Sequence, residues 1–91
     1  MKINIGKVPI RISLDAPKVG EVYRAKGGRG TTAFWLVAAV HENSSHLLGL
    51  DREGNIVSTS SYGNHAIVNR EVVGFVEGLD ALTLDMKWEA V

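Results

Sequence analysis

From Leu82 to Glu89 apolar and polar residues alternate without a break, with Leu82, Leu84, Met86 and Trp88 set against Thr83, Asp85, Lys87 and Glu89. A period of two belongs to a strand with one buried face, because successive strand side chains point to opposite sides. A helix would align Leu79, Leu82, Met86 and Ala90 and strand Leu84 and Trp88 on its far side. Near the other end Val8, Ile10, Ile12 and Leu14 oppose Arg11, Ser13 and Asp15 in the same manner. The two ends therefore bracket an all-β domain, and each is expected to bury its apolar side.

Between them the punctuation is that of short strands. Asp15-Ala16-Pro17 closes the first alternating run, since proline removes a ladder donor and biases its neighbour towards extended backbone. A strand over 21–26 runs into Gly27-Gly28-Arg29-Gly30, a loosely restrained hairpin tip. Residues 33–40, Ala-Phe-Trp-Leu-Val-Ala-Ala-Val, form an unbroken apolar run flanked by turn residues. Such a run reads as a central strand covered on both faces. Strands over 32–41, 45–51, 55–60 and 71–77 complete the set. Gly54, in the Asp51–Asn55 turn, suits a left-handed position. The polar stretch 58–65 reads as a loop or weak edge, and 61–70 as a short strand, a short helix or a 3₁₀ turn.

Five consecutive short strands, two tight hairpins and a near-helical turn before the fifth predict a small SH3-like five-stranded barrel with additional N- and C-terminal strands. An OB-like barrel would place a helix between its third and fourth strands, and residues 51–55 leave no room for one. Ninety-one residues make one domain, 1–91, with a single β-barrel core. No cysteine is present, so burial alone must hold that core together. No apolar stretch approaches the roughly 18 residues of a membrane span, and the first residues do not resemble a secretion signal, so a cytoplasmic location and no membrane partner are expected. Residues 1–30 carry +5 and residues 31–91 carry −5 within a net charge of zero. Pairing of the first strands with the later ones would neutralise both.

Chemistry-bearing clusters are sparse. His41 and His46 flank a turn and would face each other across a hairpin, but two imidazoles without a third ligand make no zinc signature, so no metal or cofactor is expected. Asp51, Glu53 and Asn55 only echo a calcium loop. Ser61 and His65 are too close in sequence for a triad, and no nucleophile elbow surrounds either serine of the Ser60-Ser61 pair, so no enzymatic activity is expected. Arg24, Lys26 and Arg29 surround the Gly-rich tip, where backbone donors and bases would approach phosphate, giving a nucleic-acid or nucleotide candidate. Tyr62 and His65 belong to a loop that packs on the barrel or meets a partner. Trp35 either joins Tyr23 and Tyr62 in an aromatic anchor patch for a protein or packs against Trp88 beneath the end strands, and the second arrangement is favoured. The candidate binding residues are thus Tyr23, Arg24, Lys26, Arg29, Trp35, Tyr62 and His65. Either end strand would also suit homodimer pairing across a twofold axis.

The run Val19-Gly20-Glu21-Val22-Tyr23-Arg24, then Phe34-Trp35-Leu36-Val37, Leu48-Gly49-Leu50-Asp51 and Glu53-Gly54-Asn55-Ile56-Val57-Ser58, resembles small SH3-like barrel proteins encoded by phages and prophages. Ser61-Tyr62-Gly63 and the segment 74–80 extend that likeness over roughly residues 19–88. The resemblance implies a mobile-element protein working in the host cytoplasm. Short single-domain chains in that setting bind and block a host or defence component, as anti-CRISPR proteins do. It implies no role for any particular residue. The expected function is accordingly a noncatalytic protein-binding module, with a Tudor-like or KOW-like nucleic-acid-binding barrel as the alternative.

Overall fold

A computed structural model describes residues 3, 5–25, 32–67 and 69–77. Among these residues six strands form one antiparallel sheet: β1 (Gly6–Ser13), β2 (Glu21–Arg24), β3 (Phe34–Val40), β4 (Ser44–Leu50), β5 (Ile56–Gly63) and β6 (Arg70–Phe75). A 3₁₀ turn, Asn64–Ile67, lies between β5 and β6, and no α-helix is present among the described residues. The spatial order is β1-β6-β2-β3-β4-β5. The expected all-β class and the five central strands are present; β2, β3 and β6 are shorter than expected, β4 is shifted by one residue, and β5 runs on to Gly63. The expected barrel closure is not: among the described residues β1 and β5 are the two edges of an open sheet. The final alternating run, 82–89, lies outside the described residues. No described helix is long and apolar enough to cross a membrane.

The sheet has a core on each face because β3 and β4 are apolar in consecutive positions. Leu36, Ala38, Leu48 and Leu50 join Ile3, Val22 and Val76 on one side. Val37 and Leu47 join Tyr23 and Ile67 on the other. This is the doubly covered central strand expected of residues 33–40. Leu36, Val37, Leu47, Leu48 and Leu50 are essentially inaccessible, and burying each such side chain contributes about 1.5–3 kcal/mol.

The turns follow their residues. Asp51 accepts hydrogen bonds at Oδ1 from the backbone N–H groups of Glu53 and Asn55, both at 2.9 Å. These bonds, led by that from Asn55, hold its carboxyl below the ordinary range. Gly54 takes φ +91°, as its position in the turn predicts, and its carbonyl accepts from the Ile3 N–H at 2.7 Å. The polar 58–63 stretch is no loop but most of edge strand β5, in register with β4 from Ser44↔Gly63 to Gly49↔Ser58. Its hydroxyls tolerate an edge because only one side of the strand needs ladder partners.

The strand β1 reverses its expected orientation. Arg11 reaches the buried Glu21 carboxylate at 3.0 Å, and Ser13 is buried. The apolar members are left outside, with Ile10 60%, Ile12 58% and Leu14 74% exposed and Val8 half-buried. The cause is the pairing with β6, in which Arg11 lies opposite Val72, one strand away from Glu21. A shift of one residue would exchange the faces and strip that carboxylate of a cationic partner.

Candidate functional site

An aromatic cluster is built on the sheet face that carries Val37 and Leu47. Register places Tyr23 opposite Trp35 between β2 and β3, and Trp35 opposite Gly49 between β3 and β4. Gly49 lets the indole lie close to the backbone, for a Cβ there would come within 3.2 Å of Trp35 Cζ3. A glycine inside a strand commonly marks such an approach. Tyr62, on β5, meets the indole edge to face, with ring centroids 6.0 Å apart and planes at 82°. Trp35 is half-buried and Tyr62 remains 41% exposed.

The cluster rests on a polar scaffold. Asn64 opens the 3₁₀ turn, accepts from the Ser45 hydroxyl through Oδ1, and donates from Nδ2 to the His41 carbonyl at 3.1 Å. Its N–H also reaches the Asn43 carbonyl at 2.9 Å. Ser45 is the register partner of Tyr62, so one asparagine fixes the end of β5, the 41–43 turn and the strand that carries the exposed ring. Beneath them Tyr23 is buried. Burial pushes its phenol up to about 12, with Arg70 opposing that shift and Tyr62 adding to it. It is therefore a neutral core phenol, unsuited to act as a base at neutral pH.

At the β2–β6 end of the same face, Glu21 and Arg70 form an ion pair at 2.6 Å with both side chains inaccessible. Glu21 Oε1 also accepts the Lys18 N–H at 2.8 Å. Arg70 donates to the carbonyls of Asp15 at 2.9 Å and Ala16 at 3.2 Å. Burial opposes the Glu21 charge, but the hydrogen bond from Arg70, that from the Lys18 backbone and the Arg70 charge together hold its carboxyl below the ordinary range. Arg70 Nε has no hydrogen-bond partner among the described residues. This pair fastens the Leu14–Gly20 connection to β6, a fold-holding role that needs no substrate.

The expected site residues thus divide. Tyr23, Trp35 and Tyr62 come together, with Tyr23 buried beneath rather than offered to a partner. His65, in the 3₁₀ turn, is exposed beside Gly63. The indole packs on Tyr62, while Trp88, its favoured sequence partner, lies outside the described residues. Arg24 is on the other face, its Nε donating to Glu71 at 2.8 Å, which is one instance of the expected neutralisation between the basic first third and the acidic remainder. Lys26 and Arg29 lie outside the described residues. His41 and His46 do face each other, with ring centroids 5.1 Å apart, but no group of three His, Asp or Glu side chains suited to a metal forms among the described residues. Sequence reasoning passed over Gly49, Asn64, Glu21 and Arg70. Only Gly49 carried a signal, as an interior strand glycine. The other three act across gaps of 19 to 55 residues that no local pattern reveals. In comparisons with known proteins the chain matches no family model, no curated protein and no solved structure.

Proposed function

We propose that the protein is a noncatalytic protein-binding module, of the kind a phage or prophage uses to bind and block a host or defence component, with its contact surface centred on Trp35 and Tyr62. The observation that carries this reading is the Trp35–Tyr62 pair itself. One ring is anchored in the second core, and the other is held against it yet 41% exposed. Rigid, half-buried aromatic rings with little rotamer freedom to lose are the groups that dominate protein–protein binding energy. Beside them runs β5, an edge strand without charge or proline over Ile56–Gly63. Among the described residues its outer edge has no strand partner, which suits an added partner strand. An SH3-like assignment is supported by the order β6-β2-β3-β4-β5 and by the 3₁₀ turn before β6. The inhibitory role rests on the sequence resemblance to phage and prophage barrel proteins. The engagement of Arg24 by Glu71 weighs against the nucleic-acid alternative.

The test is affinity capture from a bacterial lysate by the tagged protein and by Tyr62→Ala, each washed at low and then high salt. A defined protein should survive the high-salt wash, and truncating the exposed ring should reduce its recovery by about tenfold or more, as expected for an aromatic hot spot. Nucleic acid that is released as salt rises would instead establish phosphate-driven binding and overturn the reading. Equal protein recovery by Tyr62→Ala would remove this surface from it.

A further inference from the structure

The face opposite the aromatic pair carries an open cleft of about 570 Å³, a size within the ~300–1,000 Å³ typical of small-molecule sites. Its apolar walls are Ile3, Ile5, Val8, Ile10, Phe34 and Val73. A bulge in β1 shapes one side. The register on β6 passes from Lys7↔Gly74 to Arg11↔Val72, so β1 spends more residues than β6 over this stretch, and the surplus, Val8 to Ile10, is released from the ladder. Ile10 stays 60% exposed. The other side is fixed by the Ile3 N–H, which donates to the Gly54 carbonyl at 2.7 Å and ties the segment before β1 to the 51–55 turn. That turn is itself held by Asp51.

Three cations reach this apolar cleft from separate elements, Lys7 from β1, Arg24 from β2 and Arg52 from the 51–55 turn. Glu53 also lines it, and Glu71 accepts from Arg24 at 2.8 Å. The three cations with these two carboxylates leave +1. The ion pairs among the described residues engage Arg11, Arg24 and Arg70, and neither Lys7 nor Arg52. We infer that the cleft binds a small anionic amphiphile, an aliphatic carboxylate whose chain lies along Val8, Ile10 and Phe34 and whose head group is held by Lys7 and Arg52. Both halves of the site are needed to select that chemistry. The apolar wall gains from covering a chain, and a carboxylate gains charge-assisted hydrogen bonds from the two cations. A neutral chain forgoes the second gain, and a cationic one meets like charge. A nucleic-acid strand fits less well, because Phe34 is the single ring of the wall and the remainder is aliphatic.

Octanoate, octanol and octylammonium share one chain and differ in the charge of the head, so together they test both halves of the site. Each is titrated at low salt into the full chain, isotopically labelled, and the amide shifts are followed by NMR. Octanoate should saturate a single site, with the largest shifts over residues 5–10 and 52–54, and should bind about tenfold more tightly than octanol, with octylammonium weakest. Lys7→Gln/Arg52→Gln, at two exposed positions, should bring octanoate down to the octanol level. Octanol itself should bind this variant as it binds the wild type, which reports that the cleft is intact. Octanol or octylammonium binding as tightly as octanoate would take the cations out of the site and overturn the proposal, as would unchanged octanoate affinity in the double variant. Shifts centred on Trp35 and Tyr62, or shifts that never saturate, would overturn the cleft as a ligand site. The readout lies on the face away from Tyr62, so failure here leaves the proposed partner surface standing, and the Tyr62→Ala capture decides that surface independently.

Discussion

Replacing Arg70 with methionine is expected to remove about 3–5 kcal/mol of stability, the usual cost of stripping one partner from a buried ion pair. A domain of this size has about 5–10 kcal/mol in total, so the variant would be close to unfolding at ordinary temperature. The mechanism is specific. Arg70 approaches Glu21 at 2.6 Å while also tying the Asp15 and Ala16 carbonyls; without it, Glu21 keeps only the half-exposed Arg11 and the Lys18 N–H. Urea denaturation of the single variant and of Glu21→Gln/Arg70→Met together makes the check. The double variant should regain about 1–2 kcal/mol, because the uncompensated charge has gone. A single variant within about 1 kcal/mol of the wild type would show that the pair does not hold the fold.

The same pair predicts the acid limb of stability. The Glu21 carboxyl titrates below its ordinary value of 4.5 in the folded chain. The unfolded state therefore takes up the proton first as pH falls. The stabilisation is complete above the unfolded value and is lost as pH drops through the folded one. Urea midpoints measured from pH 7 down to pH 3 should fall more steeply for the wild type than for the Glu21→Gln/Arg70→Met protein. Parallel profiles would rule Glu21 out as the source.

The second large effect is expected at Gly20. Its φ of +98° is unfavourable to any side chain, and an added Cβ would lie 2.8 Å from both the Val76 carbonyl oxygen and the Phe75 ring. The residue also spans two elements, donating to the Val37 carbonyl at 2.9 Å and accepting from the Val76 N–H at 2.8 Å. Gly20→Ala should lose roughly 2–4 kcal/mol, combining left-handed strain with overpacking against backbone that cannot give way. Thermal unfolding would show this as a drop in midpoint of more than about 10 °C for a domain of this length. A shift of only a few degrees would mean that the β2–β6 junction relaxes freely.

Local pattern and tertiary structure divided the protein between them along a physical line. The strand class, the central position of residues 34–40, the left-handed Gly54 and the meeting of His41 with His46 were all legible, because each follows from side-chain period, turn chemistry or hairpin proximity within a few residues. The aromatic pair was half legible. Tyr23, Trp35 and Tyr62 could be named, but which ring is buried depends on register across three strands. Glu21 with Arg70, 49 residues apart, left no trace in the chain, since nothing local distinguishes a buried ion-paired carboxylate from a surface one. The same carboxylate, through Arg11, goes with the reversal of the clearest expectation for β1. The alternation of Val8, Ile10, Ile12 and Leu14 correctly established a strand with two unlike faces. Only the tertiary structure decided which face turns inward, and it turned the polar one in, because the register of β1 on β6 sets Arg11 opposite Val72, within reach of the Glu21 carboxylate, and carries Ser13 into the interior.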